Sequence, residues 1–193
     1  MLGLKLPTDP RWANLAEKRL EDILTDHAYC EQKAATSCIS LIQQYPDKHA
    51  LVASLAPVVT EEWGHFRSVI AELDKRGLQL GFQRKDAYVN GLMQFQKKDG
   101  SRTDRLVEKL LVCALIEARS CERFRLLSLH LEEAGLRAFY HRFMVSEAGH
   151  YRMFIDLAKR YGGADQVAVR WQQYLDFEAG LMSELELRGD RMH

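Results

Sequence analysis

The chain of 193 residues contains few helix-breaking residues and few cysteines. It has only four prolines, which leaves room for long uninterrupted helices. The four cysteines, Cys30, Cys38, Cys113 and Cys121, form no Cys-x-x-Cys motif. Within each pair the cysteines are eight residues apart, about 12 Å along a helix, which is too far for a disulfide inside one helix. The sequence therefore predicts reduced, packed thiols rather than a disulfide framework.

The chain also lacks net charge and long apolar runs. Lys and Arg together number 27, as do Asp and Glu, which argues against an indiscriminate nucleic-acid binder but permits a local basic patch. No run has transmembrane length, and the first residues, "MLGLKLPTDPRW", contain no apolar leader segment. We therefore expect a cytoplasmic protein with no membrane partner. With 47% apolar residues, residues 1–193 should form a single domain.

Helical periodicity of 3.6 residues dominates the chain, and strand-like alternation is scarce. A helical pattern runs from Pro10 to about Tyr45 with a break near Thr25, and Pro57 should kink or divide the next helix. The later helical patterns cover about 47–77, 103–133, 136–161 and 165–187. Residues 78–102 form a mixed, basic crossover, and the tail "RGDRMH" is expected to fray. These patterns predict two helix hairpins, a long crossover between them and an additional C-terminal helix.

The motif Glu-x-x-His occurs once in each predicted hairpin, in "EEWGHF" and in "VSEAGHYRMF". Three residues along a helix bring the carboxylate and the imidazole to nearly the same face, one turn apart. Another glutamate precedes each motif by one helix. The repeated pattern consists of Glu31, Glu62 and His65 in the first half and of Glu117, Glu147 and His150 in the second. The two halves therefore repeat at an offset of 85 to 86 residues.

All six side chains lie on the apolar stripes of their helices. Burying four carboxylates and two imidazoles without compensation would be costly, and two divalent metal ions would balance the carboxylate charge. This spacing is that of ferritin-like dinuclear proteins, in which two helices each supply one Glu and two supply Glu-x-x-His. The sequence predicts an all-α, ferritin-like four-helix bundle with two ions about 3–4 Å apart, one for each triad and at least one carboxylate bridging. A surface ion pair and a metal-free interaction module explain the repeated pattern less well.

The residues around these motifs resemble one family. "LIEARSCERF", "EEWGHFRSVIAELDKRG" and "SEAGHYRMFIDLAKRYG" are similar to bacterial tRNA 2-methylthio-N6-isopentenyladenosine hydroxylases (MiaE-like), over about residues 10–190. The resemblance implies a non-haem di-iron monooxygenase with two Fe ions and O2 as co-substrate, and with no separate protein nucleophile. Its substrate would be the isopentenyl side chain of the modified adenosine next to the anticodon in tRNA. It also implies an external electron donor, such as a ferredoxin and reductase system.

Several further predictions depend on weaker signals. From the ligand set alone, a ferritin-like protein that handles iron or scavenges peroxide is the alternative function. His27, one turn before Glu31, and Glu61, beside Glu62, are candidates for hydrogen bonds to the metal ligands. The crossover contains the densest run of cations without nearby acids. We expect tRNA phosphates to contact Arg84, Lys85, Lys97, Lys98 and Arg102.

Overall fold

The computed structural model describes residues 2–193 and contains seven helices and no strand within that range. The helices are α1 (Arg11–Glu17), α2 (Leu20–Gln44), α3 (His49–Lys75), α4 (Ala87–Phe95), α5 (Arg102–His130), α6 (Ala134–Gly162) and α7 (Ala164–Glu184). The all-helical prediction is therefore confirmed. In the described range, no helix is both long enough and apolar enough to span a membrane.

Contacts between residues divide the described chain into two units. The α2–α3 unit consists of Leu15–Lys85 and Arg188–Met192. The α5–α6 unit consists of residues 2–14, Asp86–Leu187 and His193. Helix α1 crosses the boundary, so the chain enters each unit more than once. The expectation of one domain over the whole chain stays a prediction.

The α2–α3 unit is a hairpin of two long helices that pack on each other. Leu24 and Ala28 of α2 and Leu55 and Val69 of α3 are buried, as the apolar spacing requires. The predicted interruption of the first helical run exists, but it separates α1 from α2 before Leu20 instead of near Thr25. Helix α3 continues through Pro57 and is not divided there. Proline has no amide hydrogen to donate to the carbonyl four residues earlier in the helix. Pro57 is exposed, so this carbonyl is on the solvent side of α3.

The α5–α6 unit is built around a second pair of long helices, of which α5 is the more buried. A capping box starts α5. The Ser101 hydroxyl accepts a hydrogen bond from the Asp104 amide at 3.1 Å, and the Asp104 carboxylate accepts one from the Ser101 amide at 2.8 Å. Helix α6 ends before Gly163, whose φ of 81° favours glycine. The additional C-terminal helix, α7, packs on both α5 and α6.

Helix α4 lies inside the crossover and was not predicted from the sequence. It is nine residues long and packs against α5 and α7 with Tyr88 and Leu92 buried. Gly91 masked it because glycine weakens a helical pattern. The structure explains this glycine, since a Cβ at position 91 would lie 2.8 Å from the side chain of Leu181 in α7. The glycine allows the close approach of the two helices.

The prediction that the tail frays is wrong. Within the α2–α3 unit, Gly189 and Asp190 are buried, and Asp26 accepts a hydrogen bond from the Met192 amide at 2.8 Å. Any side chain at Gly189 would meet the backbone of Leu15 at 2.3 Å. The Asp190 carboxylate lies within ion-pair distance of four guanidinium groups, those of Arg19, Arg84, Arg188 and Arg191. Charge pairing and close backbone packing therefore hold a segment whose sequence looks polar and loose.

Candidate metal centre

The α2–α3 unit brings its three predicted ligands together. Glu31 projects from α2, and Glu62 and His65 project from α3 one turn apart. The Nδ1 atom of His65 lies 3.4 Å from Glu31 Oε2 and 3.3 Å from Glu62 Oε2. One ligand atom from each of the three residues lies within 4.8 Å of the others. The two carboxylates are buried, and the His65 side chain is 18% exposed.

The α5–α6 unit brings together the other three predicted ligands in the same way. Glu117 projects from α5, and Glu147 and His150 project from α6. The Nδ1 atom of His150 lies 3.2 Å from Glu147 Oε2, and one ligand atom from each residue lies within 4.8 Å of the others. All three residues are buried. Each half of the sequence repeat has therefore produced one carboxylate–carboxylate–imidazole triad.

The chemistry of each triad fits a divalent metal ion. Two ionised carboxylates and a neutral imidazole carry a formal charge of −2, and placing them in an apolar interior is costly without a cation. A divalent ion would balance that charge, and carboxylate oxygen with imidazole nitrogen is a ligand set that suits iron or manganese. The cause of this burial is the helix period, which puts Glu-x-x-His on the same stripe as Val58, Val69 and Phe154.

The two residues predicted to support the ligands differ in their contacts. His27 is completely buried, and its Nε2 atom lies 2.7 Å from Glu31 Oε1, one turn away on α2. Glu61 is half exposed, and its Oε1 atom lies 3.9 Å from His65 Nε2. A hydrogen bond at 2.7 Å can orient a ligand carboxylate, whereas a gap of 3.9 Å is beyond direct hydrogen bonding. His27 is therefore the better candidate for positioning a ligand.

The predicted tRNA-binding cations also differ from one another. Arg84 is the most enclosed, with its side chain 26% exposed, and it donates hydrogen bonds to Asp22 at 2.9 Å and to Asp190 at 3.2 Å. The others are exposed: Lys85, Lys97, Lys98 and Arg102. Arg84 and Lys85 belong to the α2–α3 unit, and the remaining three belong to the α5–α6 unit. Arg84 is engaged in the fold, and the exposed residues are better placed to contact phosphate.

Sequence reasoning missed a buried charge network in the α5–α6 unit. Arg119 and Glu178 are completely buried, and Arg119 Nε donates to Glu178 Oε1 at 2.8 Å. Burial raises the pKa of Glu178, and it raises the pKa of Tyr88, whose hydroxyl lies 3.3 Å from that carboxylate. Burial also lowers the pKa of Arg123 to about 10, and the Arg123 guanidinium lies 4.5 Å above the ring of Trp12. The only signal in the sequence is two arginines inside an apolar helix.

Comparisons with known proteins show what this chain is similar to. Residues 2–193 match the family model described as tRNA-(MS[2]IO[6]A)-hydroxylase (MiaE). A protein of Pseudomonas putida named tRNA 2-(methylsulfanyl)-N(6)-isopentenyladenosine(37) hydroxylase is 37% identical over 165 residues, which cover 86% of this chain and 79% of the relative. A protein of the same name from Salmonella typhimurium is 27% identical over 228 residues, which cover 93% of this chain and 83% of the relative.

A solved structure supports the fold assignment. It is entitled "Protein 43 with aldehyde deformylating oxygenase activity from Synechococcus". It matches with a TM-score of 0.92 at 30% identity, covering 98% of this chain and 94% of the solved chain. The predicted fold class, an all-α ferritin-like four-helix bundle with a long crossover and an additional C-terminal helix, is confirmed. The family resemblance read from the sequence motifs is confirmed as well.

Proposed function

Because the chain belongs to the tRNA-(MS[2]IO[6]A)-hydroxylase family, we propose that it hydroxylates the isopentenyl side chain of 2-methylthio-N6-isopentenyladenosine in tRNA, next to the anticodon. The observation that carries the proposal is the pair of matched, buried triads, each of which combines two carboxylates with one imidazole. A redox-active metal such as iron can activate O2 for hydroxylation, and the residues of these triads are its candidate ligands.

We propose that the triads together hold two Fe ions and that the two units act as one catalytic domain. Glu31, Glu62 and His65 would bind one ion, and the triad of Glu117, Glu147 and His150 would bind the other. When bound, the iron pair supplies O2 activation. The overall reaction inserts one oxygen atom of O2 into a C–H bond and reduces the other atom to water, which consumes two electrons and two protons. An external ferredoxin-type donor would supply the electrons.

The residues of the chain itself would prepare this chemistry. His27, at 2.7 Å from Glu31, would hold that carboxylate in one orientation before metal binds. The buried positions of Glu62, Glu117 and Glu147 keep bulk water away from the ligands. Water exclusion strengthens the electrostatic interactions at the site and protects reactive species from side reactions. The partial exposure of His65 makes it the ligand with the most direct contact with solvent.

For the tRNA, we propose that exposed crossover cations contact phosphates outside the reacting nucleotide. Lys97, Lys98 and Arg102 are exposed near the start of α5. Neutralising all three should raise KM for tRNA and reduce its salt dependence, because fewer counterions are released on binding. Turnover of a free modified nucleoside, where the enzyme accepts it, should remain nearly unchanged. Equal loss for both substrates would mean that this segment shapes the site instead of holding tRNA.

The test of the function is nucleoside mass spectrometry of tRNA from a strain that lacks the protein. We expect the hydroxylated nucleoside to disappear and its isopentenyl precursor to accumulate. Complementation with wild type and with Asp156→Ala, an exposed carboxylate change on α6, should restore the product. Complementation with Glu147→Ala, on the same helix, should not. An unchanged nucleoside profile in the deletion strain would refute the proposed function and would favour an iron-handling or peroxide-scavenging role.

A further inference from the structure

Phe82 is an aromatic residue that the fold leaves almost completely in solvent. Its exposed fraction is 95%, whereas the next most exposed large apolar residue of the described chain, Val169, is 63% exposed. Phe82 lies in the α2–α3 unit, in the loop that follows α3, at the edge of an open groove of about 540 Å³. The side chains that line the groove with it include Lys18, Arg19 and Arg84.

The loop that carries Phe82 is held in place on both sides of the ring. On one side, the Tyr29 hydroxyl donates a hydrogen bond to the Gly81 carbonyl at 3.0 Å, and the Gly81 amide donates one to Thr25 Oγ1 at 3.2 Å. On the other side, Arg84 Nη1 donates to Asp22 at 2.9 Å. Arg84 Nη2 also donates to the Asp22 carbonyl at 2.9 Å. These bonds anchor the residues on either side of Phe82, so the loop presents the ring to solvent from a held backbone.

The surface around this ring is charged and carries a positive excess. Three cationic side chains line the groove, those of Lys18, Arg19 and Arg84. Two anionic side chains line it with them, those of Glu21 and Asp22. The groove lining therefore carries a formal charge of +1, and Lys18 is its exposed lysine. A polyanion with an exposed flat group matches this surface better than an apolar protein partner does.

We infer that Phe82 and its groove form a stacking site for an unpaired tRNA nucleotide other than the one that is hydroxylated. The inference rests on the proposed function, because that function makes tRNA the partner. Proteins that bind single-stranded RNA segments stack bases on exposed aromatic rings and contact the backbone with nearby cations. The anchored loop lowers the backbone ordering cost of such a contact, and exposed Lys18 and Lys85 supply positive charge.

The experiment compares the affinity of metal-free full-length variants for an RNA stem-loop with the anticodon-arm sequence, by fluorescence anisotropy. Phe82→Ala should weaken binding by about 5- to 150-fold, the range that corresponds to loss of one base–aromatic stack. Phe82→Trp should bind within about threefold of wild type, because it preserves the stacking surface. Val169→Ala, an exposed apolar change on α7, should leave the affinity unchanged. A blunt-ended RNA duplex without unpaired nucleotides should show no dependence on Phe82.

Salt dependence separates the ring from the cations. Phe82→Ala should weaken binding by the same factor at every salt concentration, whereas Lys18→Gln with Lys85→Gln should reduce the slope of log K against log salt. Arg84 is unsuitable for this comparison because it holds the loop in place. An identical loss of slope with Phe82→Ala would overturn the inference, since the ring would then act only by disturbing the charged residues.

Two outcomes overturn the inference without touching the proposed function. The first is an unchanged RNA affinity of Phe82→Ala, or no binding of the stem-loop by wild type, in a protein that still restores the hydroxylated nucleoside. The second is a Phe82-dependent change in oligomeric state by analytical ultracentrifugation with unchanged RNA affinity, which would make the ring a contact between copies of the chain. The reverse result is also possible to recognise. If the stem-loop binds in a Phe82-dependent way but deletion of the protein leaves the nucleoside profile unchanged, the proposed function is refuted and the stacking site is not.

Discussion

The buried network of Arg119 gives a sharp test of what stabilises the α5–α6 unit. The guanidinium donates to Glu178 Oε1, to Thr8 Oγ1 at 3.0 Å, to the Leu6 carbonyl at 2.9 Å and to Glu122. Both Arg119 and Glu178 have no exposed surface. Arg119→Met keeps an unbranched apolar stem but removes the guanidinium, and with it the charge and every one of these bonds. It leaves the Glu178 carboxylate buried without its guanidinium and removes a tether of the N-terminal segment.

The size of the effect follows from the burial. Breaking a buried ion pair by removing one partner costs about 3–5 kcal/mol of unfolding free energy, because the other charge stays in the interior. The loss should depend on pH. Burial raises the pKa of Glu178 and Arg119 lowers it, so the substitution moves this pKa further up. When folding raises the pKa of an acid, its protonated form contributes fully to the unfolding free energy below the unfolded pKa. This contribution is lost as pH rises through the raised pKa. The penalty should therefore be larger at pH 8 than at pH 5.5.

Urea unfolding followed by circular dichroism in metal-free buffer measures this prediction. Arg125→Met, an exposed change on the same helix, should alter the unfolding free energy by no more than about 0.5 kcal/mol. Arg119→Met combined with Glu178→Met should recover part of the loss, because it removes the Glu178 carboxylate that the single change leaves without its guanidinium. A loss below about 1 kcal/mol for Arg119→Met, or the same loss at both pH values, would refute the argument that a desolvated pair holds this unit together.

Three other changes have expected outcomes. Glu117→Ala should leave the metal-free unfolding free energy equal to that of wild type or higher, because it removes one buried carboxylate from beside another; a clear loss in urea unfolding would contradict this. Asp190→Asn should lower the unfolding free energy by about 2 kcal/mol at pH 7. Hydrogen bonding to Arg188 lowers the pKa of Asp190 to about 2, so the difference in unfolding free energy from wild type should shrink as pH falls from about 4 through about 2. Urea unfolding at pH 7 and at pH 2.5 tests this. Burial raises the pKa of Cys121 from 9.0 to about 12, so iodoacetamide at pH 8 should modify it about 1000-fold more slowly than the unfolded chain, and equal rates by mass spectrometry would show the opposite.

The long helices and the two triads were predictable because their signals are local. Helix period decides which side chains share a stripe, and Glu62 with His65 is visible as a departure from an apolar stripe within one turn. The same Glu-x-x-His spacing recurs at Glu147 and His150, and this repetition is what indicated a metal site. The sequence also predicts that the two triads hold two neighbouring ions, and this part of the prediction is carried into the proposed function.

Short or conditional elements were harder to predict. Helix α4 contains Asn90 and Gly91, whose intrinsic preferences are against a helix, and it forms because Tyr88 and Leu92 bury against other helices. The tail around Asp190 was misjudged for a related reason. Its residues are polar, and only their pairing with arginines distant in sequence makes them a packed segment.

Arg119 shows most clearly where reasoning from the sequence stops. Its position on α5 follows from the helix period, but its partners, Thr8 and Glu178, lie 111 and 59 residues away in the sequence. A lone arginine in an apolar run reads equally well as a side chain that reaches solvent, because its long aliphatic part can cover apolar surface. Only the tertiary structure distinguishes these two interpretations. Substitution of an exposed arginine should change the unfolding free energy by a few tenths of a kcal/mol, whereas substitution of a buried, paired one should change it by several kcal/mol. The residues whose mutation should matter most for stability are thus those whose partners a single sequence cannot identify.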